Sequence, residues 1–238
     1  MLLIHISDSH IAQDKPGRAA DLTACVAHIN NLLPKPDAVI HTGDITQNGR
    51  LEEYASAREI LNRFSMPYFV VPGNRDDRCN LASAFDGVGP SRAGMNFVQY
   101  AIEDFPVRLI AIDPVDDRNN KGRLCGERLA HVKQMLVADR TRQACLFLHH
   151  PPFDVTVGPD LHHFDNLPEA KALVAEFRRH SHIEAVFCGH VHRSFRTSVG
   201  PVSGNVVSCL ANDLRWDKPE AALRGLPVYD IHNFSTIN

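Results

Sequence analysis

The chain has 238 residues, 44% of them hydrophobic and 22% charged, enough to bury a sizeable core and consistent with one globular domain over residues 1–238. A formal charge of −3 without a basic stripe argues against a nucleic-acid polymer gripped through its phosphates and against an anionic membrane surface. A small anionic substrate fits such a balance if a metal supplies positive charge.

Residues 1–6 are apolar but lack a basic start, which predicts a first strand and not a signal peptide. Cys25, Cys79, Cys125, Cys145, Cys188 and Cys209 show no CxxC spacing and predict reduced thiols in a cytoplasmic protein. The first strand ends in Ser7-Asp8-Ser9-His10, where a carboxylate and an imidazole two residues apart share a face of extended backbone. That pair suits a borderline metal, and it is equally ordinary turn chemistry.

Apolar spacing at Leu22, Val26, Ile29 and Leu33 predicts a helix over 22–33, ended by Pro34 and Pro36. A second strand over 38–42 closes on Gly43-Asp44; its His41 is either catalytic or a strand histidine with a satisfied hydrogen bond. An amphipathic helix over 52–64 leads to a third strand over 66–71, followed by Pro72-Gly73-Asn74-Arg75-Asp76-Asp77. Asn74 offers a neutral amide oxygen, although Pro-Gly-Asn is also a good surface turn.

Strands are predicted over 95–101 and 107–112 and a helix over 127–138. The polar loop 116–121 receives no chemistry, while Arg118, Lys121 or Arg123 stand within plausible reach of a phosphate. A buried strand over 144–148 ends in His149-His150-Pro151-Pro152, where proline fixes the exit path and one histidine is expected on a metal. In the loop 153–166, His162, His163, Phe164 and Asp165 either wall a cleft against a nucleobase or pack without special role. A helix over 167–179 precedes the strand ending Cys188-Gly189-His190-Val191-His192, whose His-x-His spacing suggests convergence on one pocket. Short strands over 195–199, 205–210 and 228–232 read as a meander, and 214–226, with Trp216, is a connection without assigned role.

Taken together, five successive apolar strands end in Asp-x-His, Gly-Asp, Gly-Asn, His-His-Pro and Gly-His-x-His. Over residues 1–210 the chain resembles the calcineurin-like metallophosphoesterases, and most of all their bacterial class III cyclic-nucleotide phosphodiesterase branch. The resemblance implies a four-layer α/β/β/α sandwich of two mixed sheets. It also implies two divalent or trivalent ions, of Mn, Fe or Zn, with Asp8, His10, Asp44 and His192 on one and Asp44, Asn74, His149 and His190 on the other. His149 is preferred to His150 on the family's spacing to the following proline.

Asp44, Arg75 and His190 are then the expected catalytic residues, with Asn74, Arg75 and His150 on the substrate. The implied reaction is hydrolysis of a 3′,5′- or 2′,3′-cyclic nucleotide by a metal-bridging hydroxide. A glycerophosphodiester, another small phosphoester or a non-catalytic nucleotide sensor is the alternative, and a homodimer is possible. One departure stands out. Arg75 occupies the place where the family has histidine, and arginine cannot be a general acid, so Arg75 with Asp76 beside it is expected to bind substrate oxygen.

Overall fold

The computed structural model describes residues 1–87, 96–217 and 225–234. Side-chain alternation along each strand sets the layering. In β1 (Leu2–Ile6), β2 (Ala38–His41) and β3 (Tyr68–Val70), the residues Ile4, Ile6, Val39 and Val70 face outward to helices, while Leu3, Ile40 and Phe69 face inward. The outward face packs on α1 (Pro16–Asn30), α2 (Leu51–Leu61) and α3 (Arg78–Ala84) through Leu22, Ile29, Tyr54, Leu61 and Leu81.

A second sheet runs in the order β4-β5-β6-β7-β9-β8, built from β4 (Tyr100–Ile102), β5 (Arg108–Ala111), β6 (Ala144–Phe147), β7 (Ile183–Cys188), β8 (Phe195–Val199) and β9 (Val202–Val206). Its outer residues Ile110, Leu146 and Val186 meet α4 (Gly126–Ala138) and α5 (Leu167–Arg179) at Val132, Leu136, Leu173 and Phe177. Leu3, Ile40, Leu109, Phe147 and Phe187 fill the space between the sheets. This is the four-layer sandwich of two mixed sheets that the resemblance implies. Each such buried aliphatic or aromatic side chain contributes about 1.5–3 kcal/mol, so the three clusters together hold the strands rigidly.

Strands β1, β2 and β3 are mutually parallel, as are β5, β6, β7 and β9. Their C-terminal ends therefore gather at one rim, where ligands of open α/β sheets sit.

Several predicted boundaries shift. Helix α1 starts at Pro16, where the ring takes the first helical position, and ends at Asn30, because Leu33 is 87% exposed and anchors nothing. Helix α3 is missing from the sequence reading although Asp77 accepts the Asn80 N–H at 2.8 Å as its cap. Of the predicted strand over 95–101 only Tyr100 and Ala101 are strand, as the start of β4; 96–99 are not, and Met95 lies outside the described residues. The meander is incorrect: β9 inserts between β7 and β8, and β10 (Asp230–Asn233) crosses to the first sheet and pairs antiparallel with β1. The connection 214–226 is described only in part, since 218–224 fall outside the described residues. All six cysteines are unpaired, and no helix among the described residues is long and apolar enough to cross a membrane.

Candidate metal centre

Each cluster of polar side chains at the rim sits just past a strand end: Asp8 and His10 after β1, Asp44 after β2, Asn74 after β3, His149 after β6, His190 and His192 after β7. The extended backbone expected there is absent. Asp8, His10, Asp44, His190 and His192 have φ of 57, 46, 51, 72 and 58°, and no other described non-glycine residue has positive φ. Left-handed kinks, not strand pleating, turn the i and i+2 side chains toward one pocket. Such conformations cost on the order of 1–3 kcal/mol each and persist only where surroundings over-determine them.

Backbone stitching supplies that constraint: Asp8 N donates to Gly43 O at 3.0 Å, His10 N to Asp44 O at 2.9 Å, and Gly189 N to His149 O at 3.0 Å. Two glycines allow the loops to close. A Cβ on Gly73 would lie 2.2 Å from Asp44 Oδ1, and one on Gly189 would lie 1.9 Å from Ser7 Oγ.

The carboxylates are held by one oxygen each. Asp8 Oδ2 accepts His190 N–H at 3.1 Å and Asp44 Oδ1 accepts Arg75 N–H at 2.7 Å. The other oxygens point at imidazoles: Asp8 Oδ1 lies 3.3 Å from His192 Nε2 and 3.6 Å from His10 Nε2. Asp44 Oδ2 lies 3.6 Å from His10 Nε2 and 3.5 Å from His149 Nε2, between the two groups. Asn74 Oδ1 completes the second group, 2.9 Å from His190 Nδ1 and 3.2 Å from His149 Nε2. The ligand-capable atoms of Asp8, His10, Asp44 and His192 all fall within 4.8 Å of one another, as do those of His149, His150 and His190.

Two imidazoles have their orientation fixed from behind, His149 Nδ1 donating to Thr42 O at 2.7 Å and His192 Nδ1 to Leu214 O at 3.0 Å. This outer support is typical of metal-binding histidines. Asp8 Oδ1 and His10 Nδ1 are buried with no hydrogen-bond partner among the described residues, and the donor set is oxygen and imidazole nitrogen. The residues present therefore fit a pair of borderline cations.

Burial alone would raise both carboxyls, but His10 and His192 beside Asp8, and His149 beside Asp44, outweigh it and hold both below the usual range. Burial likewise lowers imidazoles, yet the Asp44 carboxylate lifts His149 to about 9 and Asp8 lifts His192 to about 11. Asp76 moves the other way, to about 6, through burial and the Asp44 charge.

Asp76 does not accompany Arg75 toward substrate, as the sequence reading expects. It is buried and accepts N–H bonds from Gly73, Ile45 and Thr46 at 3.0–3.1 Å and the Tyr54 hydroxyl at 3.0 Å, tying the β2 and β3 exits together. Arg75 is exposed and its guanidinium has no partner among the described residues. His41 is the satisfied strand histidine, accepting Gly43 N–H at 3.3 Å and lying 3.0 Å from Ser9 Oγ.

His150 is fully buried behind His190, ring centroids 4.4 Å apart, with Nε2 donating to Asn120 O at 3.0 Å. It orients the cleft wall and does not line the cleft. The loop cations are engaged elsewhere: Arg118 with Asp116 at 3.0 Å, Lys121 with His162 O at 3.1 Å, Arg123 with Glu169 at 3.0 Å.

Above the centre lies a cleft of about 300 Å³ lined by His10, Asp44, Asn74, Arg75, His163, His190, His192 and Trp216, among others. His163 packs edge-on to His190 at 5.1 Å, and Trp216 is 52% exposed with Arg193 over its ring. Sequence reasoning missed Trp216 because it lies in an irregular connection; its N–H to His192 O, 3.1 Å, is what brings it to the rim.

The sequence profile of the calcineurin-like phosphoesterases matches residues 1–194. Over 200 residues the chain is 36% identical to a probable glycerophosphodiester phosphodiesterase, GpdQ, of Arcobacter nitrofigilis, covering 81% of this chain and 72% of that protein. It is 28% identical over 232 residues to a cAMP/cGMP dual specificity phosphodiesterase of Mycobacterium tuberculosis, covering 90% and 69%. A dimetal phosphatase from Danio rerio shares the fold, with a TM-score of 0.72 at 15% identity over 89% of this chain and 88% of that one.

Proposed function

The chain belongs to the calcineurin-like phosphoesterase family, and from that premise we propose a metal-dependent phosphodiesterase whose substrates are cyclic nucleotides. The nucleotide part of this reading rests on Trp216, the chain's single tryptophan, half exposed in the lining of the cleft that Arg75 and His163 also line. An exposed indole offers a stacking face worth about 1–3 kcal/mol to a base, which a glycerol headgroup does not use. The relative's name in Mycobacterium tuberculosis supports the same substrate class.

Asp8, His10, Asp44 and His192 would hold one cation and Asp44, Asn74, His149 and His190 the other, with Mn, Fe or Zn suiting the donors. Such a pair, when bound, clamps phosphate oxygens and acidifies a water enough to attack phosphorus near neutral pH. Asp8 and Asp44 contribute only two negative charges, so the site stays positive toward a phosphodiester and its more negative transition state.

Arg75, whose guanidinium has no partner among the described residues, binds a non-bridging phosphate oxygen in a fork geometry and orients the phosphorus, while its own N–H keeps Asp44 in place. It has no proton to give the leaving alkoxide at physiological pH. His190, packed against His150, lines the same cleft as Arg75.

The test compares kcat/KM for 3′,5′-cAMP, 2′,3′-cAMP and glycerophosphoethanolamine on Mn-loaded protein. A cyclic nucleotide should lead by tenfold or more, and Trp216→Ala should erase most of that lead through KM. A lead for glycerophosphoethanolamine untouched by Trp216→Ala would favour the second reading, a glycerophosphodiester hydrolase, which the 36% identity to the GpdQ relative supports. Arg75→His separates binding from proton transfer: it should raise KM and add a basic limb to the pH profile.

A further inference from the structure

Strand β10 and strand β1 together carry a second group of imidazoles, away from the cleft. We propose that His5, Asp230 and His232 form a third metal site, structural in character, for a zinc-class divalent cation. In the antiparallel register His5 lies opposite Asp230 and Leu3 opposite His232, so the three side chains stand on one face as a direct and a diagonal cross-strand neighbour. That face is the one Leu3 turns toward the second sheet. One ligand-capable atom from each of the three lies within 4.8 Å of the others.

The tautomer of His5 can be read from its neighbours. Thr42 Oγ1 donates to Ile6 O at 3.4 Å, so at 3.0 Å from His5 it accepts the Nε2–H. His5 Nδ1 is then a bare lone pair on a fully buried ring with no hydrogen-bond partner among the described residues; His232 Nε2 is buried and likewise without one. Two buried nitrogens without partners among the described residues, clustered with a carboxylate, are a poor arrangement for a core without an ion and a good one for a core with it.

Donation of the remote N–H to a fixed oxygen is also how ligating histidines are oriented. Phe187 forms an apolar floor, its centroid 5.3 Å from that of His5 and 4.4 Å from that of His232. Arg196, exposed, lies 3.4 Å from Asp230 Oδ2, so one oxygen of the carboxylate is engaged by a cation and Oδ1 is not. Two imidazoles and a carboxylate match zinc first. A cation there would pin β10 to β1 and brace Thr42, whose carbonyl orients His149.

The experiment uses the full chain, stripped with chelator, reloaded with zinc chloride, desalted and analysed for zinc per chain. Wild type should retain about one equivalent more than His232→Ala at equal turnover of bis-p-nitrophenyl phosphate, and its thermal midpoint should rise further with zinc. Asp230→Asn, which keeps size and shape, repeats the comparison if His232→Ala does not fold. Equal zinc content in wild type and the variants overturns the proposal, as does a zinc-dependent rise in midpoint that the variants retain. Because the measurement is a difference at constant activity, it stands apart from whatever the substrate assay returns.

Discussion

The half of the rim built from Asp8, His10 and His192 contrasts with the half built from Asn74, His149 and His190. Both share Asp44, but the first adds a carboxylate and the second a neutral amide. With roughly equal geometry, ligand charge decides affinity, so the first half should bind its cation tightly and the second should exchange. Both halves line the cleft, but Asn74 of the second is the chain neighbour of Arg75, where a labile cation would respond to the substrate's negative charge.

Removing the shared ligand should erase the contrast. Asp44→Asn is expected to lower kcat/KM for bis-p-nitrophenyl phosphate by about 10³-fold or more and to weaken both cations, read by steady-state kinetics and metal analysis. Asn74→Ala should sharpen the contrast instead: the weaker cation loses roughly 10–100-fold in affinity while the tighter one is unchanged, as calorimetric titration would resolve. If both weaken equally, the halves are not separable in this way.

Acid should act unevenly as well. In the metal-free centre His149, raised to about 9, and His192, raised to about 11, hold protons near neutrality that a cation must displace. Because these pKa values are raised, protons compete below them: affinity of the second half should climb about tenfold per pH unit from neutrality to about 9 and then level. The first half should keep climbing beyond that point, and proton release measured in two buffers checks both. The smallest effect is expected from the wall: His163→Ala should raise KM for a cyclic nucleotide about fivefold, near 1 kcal/mol, with metal affinity intact.

The layering was legible because strand alternation and helical spacing are local patterns, and the apolar runs around Ile40, Leu146 and Val186 carry them strongly. Placement of polar residues after each run was legible for the same reason. What brings them together was not: the left-handed φ of Asp8, His10, Asp44, His190 and His192 is marked only weakly in residue type, since aspartate and histidine are enriched in that region but adopt other conformations far more often. His150 shows a second limit. Adjacent histidines after one strand look equivalent, and only the third dimension sends His149 toward Asp44 and His150 to Asn120 O. β10 joined the wrong sheet in the sequence reading because a short exposed strand, alternating half-buried and open, states nothing about its partner.

The peptide N–H of Arg75 grips the same carboxylate that spans the two halves. On the proposed reading, a guanidinium swinging onto a phosphate would tug, through one main-chain link, on the carboxylate that would hold both cations. Substrate docking and metal spacing become one mechanical coordinate, and a tight phosphate analogue should slow the escape of the looser cation without touching it.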